Sequence, residues 1–358
     1  ALAGAGSALR RPRRASEDTP RATTLKEMLR GAAALVVLLT AGIAALMFYC
    51  MHMPGTSLLG ALPPLTAQQQ ILRDRLQSHV QVLAGEIGER HKYQRKQMDQ
   101  AADYITRQFE SMDLVPGPQL FDDGFRNIVV DLYGRERRDE IIVVGAHYDT
   151  VAMTPGADDN ASGVAGLLEL ARLLRDRPLR RSVRLIAFAN EEWPFFGNDD
   201  MGSRVSARQS FDRNENVVGM FSLEMIGYYS SEPRSQWYPR SIRRFYPQQG
   251  NFIAFVSNLD SRDLLVQSVA SFRRHGQFPS EGMSAPEWLV RDVRRSDQSS
   301  YWAFGFPGVM ITDTANFRNY GYHNVGDVAR SLDYDAMARV VDGLAAMLTE
   351  LAGGNLIN

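Results

Sequence analysis

Side chains that can bind metal ions follow three β-strands predicted in the middle of the chain. These strands, at residues 140–146, 182–189 and 217–223, are short runs rich in β-branched and apolar residues. The residues that directly follow them are His147-Tyr148-Asp149, Asn190-Glu191-Glu192 and Glu224. In open α/β sheets, ligands bind in the crevice beyond the carboxyl ends of the strands. Imidazole and carboxylate groups gathered there favour Zn²⁺ or a similar divalent ion over copper or an iron–sulfur cluster.

Two loops add further candidates. Residues 156–163 follow the first strand and contain Asp158 and Asp159, and His323 comes shortly after a strand predicted at 307–312. Each piece has an ordinary structural explanation: a solvated loop for the His and Glu residues, and a turn or helix cap for the paired aspartates. Because they all lie at successive strand ends, we expect them to form one metal centre.

The composition restricts the chemistry to residues other than cysteine. The 358 residues include a single cysteine, Cys50, so an intramolecular disulfide framework and a thiolate metal cluster are excluded. The 40 basic and 41 acidic side chains nearly cancel, which gives no reason to expect a nucleic-acid partner. Neither a G-x-S-x-G nucleophile motif nor a phosphate-binding P-loop motif occurs, which argues against a serine hydrolase or a nucleotide-binding protein.

Alternating strand and helix patterns place these residues in an α/β domain. Further strands are predicted at 127–133 and 251–256, and amphipathic helices at 67–84, 98–112, 162–175, 260–274 and 333–351. This order predicts a largely parallel sheet with helices on both faces. Residues 228–249, rich in Ser, Pro, Arg and Tyr, are predicted to be a long surface insertion that forms a wall or lid of the site.

The N-terminal segment is typical of a membrane anchor. Residues 1–30 carry seven basic and three acidic side chains, and residues 31–51 are uncharged and almost entirely apolar. About 20 such residues span a bilayer as a helix, and the run is too long for a cleaved signal peptide. The positive-inside rule predicts a single-pass signal anchor with a basic cytoplasmic tail at 1–30. A linker at 52–65 would then lead to a domain at 66–358 outside the cell membrane, in the periplasm or the extracellular space.

The motifs in their order resemble those of a known family. They read GAHYDT, GADDNASG, NEEWPFFG, SLEMIGYY, RSDQSSYW and TDTANFRNYGYHNVGD. This series resembles the M28 family of zinc peptidases, the co-catalytic dizinc aminopeptidases, over most of the chain after residue 65. The resemblance implies a mixed, largely parallel sheet flanked by helices and two Zn²⁺ ions per chain.

The resemblance also implies a role for each candidate residue. Asp158 would bridge the two metal ions, with His147 and Glu224 completing one site and Glu192 and His323 the other. Glu191 would be the general base that activates a metal-bridged water, and Asp149 would orient His147. The expected function is hydrolysis of N-terminal residues from peptides by a membrane-anchored enzyme.

Some alternatives stay open at this point. A glutaminyl-cyclase-like acyltransferase or a carboxypeptidase could use the same fold, and a non-catalytic binding domain would be expected to lack ligands, none of which is missing. Gln298 stands where the family usually has histidine, so we expect altered substrate contacts rather than loss of metal. The preference for Zn²⁺ over Mn²⁺ or Co²⁺, the side-chain specificity and the oligomeric state are left undetermined.

Overall fold

The structure, a computed structural model, describes residues 24–121, 124–239 and 242–353. It divides into two units, Ala1–Tyr49 and Cys50–Asn358. Helix α1, Leu25–Met51, contains the apolar run, and no part of its most apolar 18-residue stretch, with a mean hydropathy of 2.3, is buried. By length and composition this helix could cross a bilayer. Most of the basic segment at 1–30 lies outside the described residues.

The second unit is built around one eight-stranded sheet. Its strands are β1 (Gly117–Leu120), β2 (Arg126–Leu132), β3 (Arg137–His147), β4 (Arg181–Phe188), β5 (Asn216–Glu224), β6 (Ile253–Ser257), β7 (Ser280–Ser284) and β8 (Gly308–Thr312). They are arranged in the order β1-β2-β4-β3-β5-β8-β6-β7. The four central strands, β4-β3-β5-β8, are parallel to one another, while β1, β2 and the β6–β8 pairing are antiparallel. The predicted mixed, largely parallel sheet is confirmed.

Helices cover both faces of the sheet. They are α2 (Ala67–Val80), α3 (Arg95–Glu110), α4 (Gly163–Leu174), α5 (Gly202–Asp212), α6 (Arg262–His275), α7 (Gln298–Trp302) and α8 (Tyr334–Leu351). Because side chains alternate along a strand, Ile142 and Val144 of β3 pack into the core with α4 and α8, whereas Ile141 and Val143 pack on the opposite face with α5 and α7. The buried central strands can therefore be apolar on both sides.

Four short elements differ from the sequence prediction. Strands β1 and β7 and helices α5 and α7 were not predicted, since they are short and their sequences are polar or rich in glycine and serine. Strand β7 exists because it pairs in parallel with β6, a contact that local propensity does not reveal. The predicted insertion at 228–249 contains no helix or strand in its described residues.

Candidate metal centre

The first group of potential metal ligands lies at the carboxyl ends of two neighbouring central strands. His147 is the last residue of β3, and Glu224 is the last residue of β5. His147 Nε2 lies 3.3 Å from Asp159 Oδ1 and 3.4 Å from Glu224 Oε2. All three side chains are buried. Parallel strands end at the same edge of the sheet, which is why residues distant in sequence meet here.

The second group shares Asp159 with the first. His323 Nε2 lies 3.1 Å from the other carboxylate oxygen, Asp159 Oδ2, and 3.3 Å from Glu192 Oε1. Within each group, the potential ligand atoms all lie within 4.8 Å of one another. The His323 ring stacks on Tyr322 with 3.7 Å between ring centroids. One carboxylate therefore lies between two clusters that each contain a histidine and a glutamate.

The prediction that Asp158 joins the two clusters needs correction by one residue. The Asp158 carboxylate points elsewhere, where it accepts hydrogen bonds from Gly227 N at 2.9 Å and Asn319 Nδ2 at 2.7 Å. The carboxylate of Asp327 accepts from the backbone N–H groups of both Asp158 and Asp159, at 2.8 and 3.0 Å. Asp159 has non-helical backbone angles, φ −104° and ψ 89°, within a short π-helical segment. This backbone geometry, which the Asp-Asp sequence does not reveal, directs the carboxylate of Asp159 to the cluster.

Asp149 connects the two strand ends. His147 Nδ1 lies 3.2 Å from the Asp149 backbone oxygen and 3.5 Å from its carboxylate Oδ1. The two oxygens of the same carboxylate accept hydrogen bonds from the backbone N–H groups of Glu191 and Glu192, each at 3.0 Å. Asp149 therefore contacts both the imidazole at the end of β3 and the backbone of the glutamate pair after β4.

Two buried polar atoms of the cluster lack a hydrogen-bond partner and could bind a metal cation. His147 Nε2 and Asp159 Oδ1 are buried atoms with no hydrogen-bond partner among the described residues. With Nδ1 facing oxygen acceptors, a neutral His147 would carry its ring proton there and keep the Nε2 lone pair for a ligand. Buried polar atoms without partners are rare and call for an explanation such as an ion. An imidazole and carboxylates around one point form a ligand set typical of Zn²⁺.

Charge interactions also couple the cluster. Burial opposes the ionised form of Asp159, but contacts with His147 and His323 outweigh it and lower the pKa of this carboxyl. Burial likewise opposes protonation of His323, yet Asp159 and Glu192 raise its pKa to about 10. Burial and the charge of Asp159 raise the pKa of Glu192 to about 7. Without a cation, these acids compete for protons, as expected for carboxylates gathered at one point.

Glu191 lies beside the cluster but in neither group. Its side chain is 5% exposed. Burial and the neighbouring carboxylates of Glu192 and Glu224 raise its pKa well above the usual value, against the opposing effect of His147. A carboxyl with a raised pKa at the rim of a cluster is a candidate for proton transfer.

Sequence reasoning missed Arg90, which organises the loops around the cluster. This guanidinium is fully buried and donates hydrogen bonds to five backbone carbonyl oxygens, at 2.7 to 2.9 Å. The acceptors are Leu83, Gly88, Tyr148, Pro155 and Gly156. Two of these, Pro155 and Gly156, directly precede the segment that carries Asp159, and Tyr148 lies between His147 and Asp149. A lone arginine in a Gly-Glu-Arg segment carries no sequence signal of such a role.

The side chain of Gln298 makes no hydrogen bond to a candidate ligand among the described residues. It is buried at the start of α7, where its Nε2 donates to Val293 O at 2.8 Å. Its effect on substrate contacts stays a prediction.

Comparison with known proteins identifies the family. The model of peptidase family M28 matches residues 127–348, which is more than half of the chain and includes every ligand candidate. The chain belongs to peptidase family M28. It is 39% identical over 287 residues to the uncharacterized protein YfbL of Escherichia coli, covering 77% of this chain and 87% of that protein.

Other relatives match over smaller shares. Aminopeptidase YwaD of Bacillus subtilis is 36% identical over 103 residues, 29% of this chain and 22% of that protein. A probable zinc metalloprotease of the fungus Leptosphaeria maculans is 26% identical over 60% of this chain, which spans about half, 54%, of the fungal protein.

Solved structures confirm the fold. LapB of Legionella pneumophila superposes with a TM-score of 0.62 at 20% identity, covering 83% of this chain and 78% of that one. A glutaminyl cyclase of Porphyromonas gingivalis superposes with a TM-score of 0.59 at 19% identity, covering 78% of this chain and 98% of that one. A fold shared with a glutaminyl cyclase does not decide which reaction this chain performs, so function must be argued from the site.

Proposed function

We propose that this M28 peptidase is a membrane-anchored, zinc-dependent aminopeptidase that hydrolyses the N-terminal residues of peptides. The observation that carries the proposal is the position of the Asp159 carboxylate, with one oxygen 3.3 Å from His147 and the other 3.1 Å from His323. Two neighbouring metal ions need an anion between them, and a shared carboxylate supplies it. The named zinc proteases and aminopeptidase among its relatives support the choice of metal and reaction.

Five residues would hold two Zn²⁺ ions. His147 and Glu224 would complete one site, Glu192 and His323 the other, and Asp159 would belong to both. Three carboxylates and two neutral imidazoles offset most of the charge of two divalent cations. When bound, such a pair lowers the pKa of water and polarises the scissile carbonyl.

Glu191 is the proposed general base and acid. It adjoins the ligand Glu192, its pKa is raised, and the backbone of both glutamates is held by Asp149. From this position the carboxylate takes a proton from the attacking water and delivers it to the leaving amine. Asp149 acts through other residues, because it orients His147 and fixes the loop of Glu191.

Helix α1 is the proposed anchor. The basic residues at 1–30 precede it, so the N-terminus would be cytoplasmic and the domain at 66–358, after a linker at 52–65, would lie outside the membrane. Protease added to intact cells should then digest the domain. Complete protection in intact cells, with digestion after lysis, would reverse this topology.

The reaction is tested on a mixed peptide pool incubated with the detergent-solubilised full chain, followed by mass spectrometry. Zinc-dependent shortening from the N-terminus, abolished by a chelator and restored by zinc, is the expected result. Shortening from the C-terminus would instead identify a carboxypeptidase, and ammonia loss from N-terminal glutamine a cyclase. Unchanged peptides would leave only a binding function, so each of these three outcomes contradicts the proposal.

A further inference from the structure

A large cavity begins at the candidate metal centre and continues away from it. It measures about 900 Å³ including its open mouth, and Glu224 and Tyr322 lie at its metal end. Described residues of the 228–249 insertion, among them Tyr238 and Ile242, form part of its wall. One of the proposed ligands, Glu224, lines this cavity, so the N-terminal side chain of a substrate held at the metal centre can enter it.

The floor of the cavity is a row of residues in register across four strands. Glu224 of β5 is opposite Thr312 of β8, Thr312 is opposite Ala254 of β6, and Ala254 is opposite Glu281 of β7. Residues in register point to the same face of a sheet, and all four line the cavity. Three strand spacings separate the backbones of the two glutamates by about 14 Å. The row therefore begins at a metal-ligand candidate and ends at a second carboxylate.

The lining of the cavity is mostly apolar. Phe252, Val256, Met283 and Met310 are among its lining residues. Tyr238 also lines the cavity, and its hydroxyl is buried and has no hydrogen-bond partner among the described residues. Burial raises the pKa of Tyr238, and the charge of Glu281 adds to this shift against the effect of Arg318. Apolar walls with a polar group among them fit a long, largely apolar side chain that ends in a hydrogen-bonding group.

Arg273, the cation beside Glu281, donates its hydrogen bonds to other groups. Arg273 Nη2 lies 3.8 Å from Glu281 Oε2, beyond hydrogen-bond distance, and donates instead to the backbone oxygen of Ser280 at 2.8 Å. Its Nη1 donates to the backbone oxygens of Pro54 and Gly55 at 3.1 and 3.2 Å. Burial raises the pKa of Glu281, while Arg273 and the Ser57 hydroxyl lower it. Glu281 lines the cavity, and the guanidinium of Arg273 is too far from its carboxylate to donate a hydrogen bond to it.

Among the charged groups that line the cavity, one carboxylate has no lining partner, since Arg295 pairs with Asp292 at 3.7 Å. Besides Glu224, they are Glu281, Asp292 and Arg295. The guanidinium of Arg295 donates to Asn316 Oδ1 at 2.7 Å and to the Tyr322 hydroxyl at 3.0 Å, at the metal end. An entering ammonium or guanidinium thus meets carboxylate charge and no lining cation at the far end among the described residues.

We propose that this cavity binds the N-terminal side chain of peptides that begin with lysine or arginine, and that Glu281 is the specificity-determining residue. The four-carbon stem of lysine, or the three methylenes of arginine, passes between the apolar walls. The terminal cation donates hydrogen bonds to Glu281 and to the oxygen of Tyr238. This inference rests on the proposed aminopeptidase function.

The test compares lysine with norleucine, which has the same stem length without the ammonium. Fluorogenic lysyl and norleucyl amides are hydrolysed by the detergent-solubilised, zinc-loaded full chain, and kcat/KM is measured for each. We expect lysine to be favoured by about 10-fold to 100-fold, the range for hydrogen bonds to a charged group. In Glu281→Gln this ratio should fall towards one while the norleucyl rate stays within about twofold of wild type. The matched control Glu110→Gln, at the exposed end of α3, should keep the wild-type ratio.

Each other outcome overturns a defined statement. A wild-type ratio of one or below, or a Glu281→Gln enzyme that keeps the lysine preference, contradicts the role of Glu281 and leaves the aminopeptidase function intact. No zinc-dependent release from either amide contradicts the proposed function, and this inference with it. If Glu281→Gln does not fold, the wild-type ratio and Tyr238→Phe, which removes one acceptor, decide the question by the same comparison.

Discussion

The two ligand groups that share Asp159 are built from different parts of the fold. His147 and Glu224 end neighbouring strands in the centre of the sheet, and their side chains are 0% and 9% exposed. Glu192 follows β4 in a loop, and His323 lies in the segment after β8 with 37% of its side chain exposed. The first group is positioned by the sheet, and the second depends on loops held by side-chain contacts.

This difference has consequences for metal binding. His147 is paired with Phe188 of β4 and Glu224 with Thr312 of β8, so we expect the first group to be preorganised before any ion binds. The second group relies on Asp149 beneath Glu192 and on the stacking of His323 on Tyr322. We therefore expect the second site to exchange its ion more readily, and four predictions test this contrast.

The largest effect is expected for a substitution of Asp159, the residue that both groups share. Asp159→Asn should reduce both bound zinc ions and lower kcat/KM by about 10⁴-fold or more, since each ion contributes several kcal/mol to transition-state stabilisation. The neighbouring Asp158→Asn should keep its zinc, because that carboxylate bonds to Gly227 and Asn319 instead. Metal content by mass spectrometry and peptide hydrolysis measure both. Full zinc in Asp159→Asn, or its loss in Asp158→Asn alone, would restore Asp158 as the shared ligand.

The adjacent glutamates after β4 should separate catalysis from binding. Glu191→Gln should bind zinc normally and lose about 10²–10⁴-fold in kcat, because the proton acceptor is removed while the ligands remain. Glu192→Gln should weaken zinc binding at the second site. A Glu191→Gln enzyme with wild-type kcat would exclude Glu191 as the base.

The histidines should show the asymmetry of the two groups directly. After dialysis against limiting zinc, His323→Ala should retain about one ion per chain, held by the strand-end group, whereas His147→Ala should bind less and lose stability because it leaves a buried cavity among charges. Zinc titration calorimetry gives the stoichiometry of each variant. Equal losses in the two variants would show that the groups are equally preorganised.

The smallest effect is expected from the arginine beneath the loops. Arg90→Lys leaves several buried carbonyl oxygens without donors, so the free energy of unfolding should fall by about 2–4 kcal/mol in denaturant titration. The exposed Arg107→Lys on α3 should change it by less than about 0.5 kcal/mol. Zinc affinity in Arg90→Lys should drop by about 10-fold to 100-fold, as for other residues that hold ligands in place. Unchanged affinity with reduced stability would make Arg90 purely structural.

Much of this protein could be predicted from its sequence by itself. The strands that end at His147 and Glu224, and the strand that precedes Glu192, are apolar runs whose burial decides their conformation. The chemistry of the residues at and after their ends indicates metal binding without a structure. The parallel arrangement follows from alternating strands and helices, so the common edge was also predictable.

Only the tertiary structure decided between chemically identical neighbours and between distant partners. The carboxylates of Asp158 and Asp159 have different contacts in a loop whose backbone is held by Asp327, 168 residues from Asp159, and nothing local to an Asp-Asp pair specifies that contact. Strand β7 and its Glu281 gain their place through pairing with β6, and Arg90 through carbonyls from three separate segments. The residue types determine which chemistry is possible. The long-range hydrogen bonds of the fold determine which side chains reach the place where that chemistry would occur.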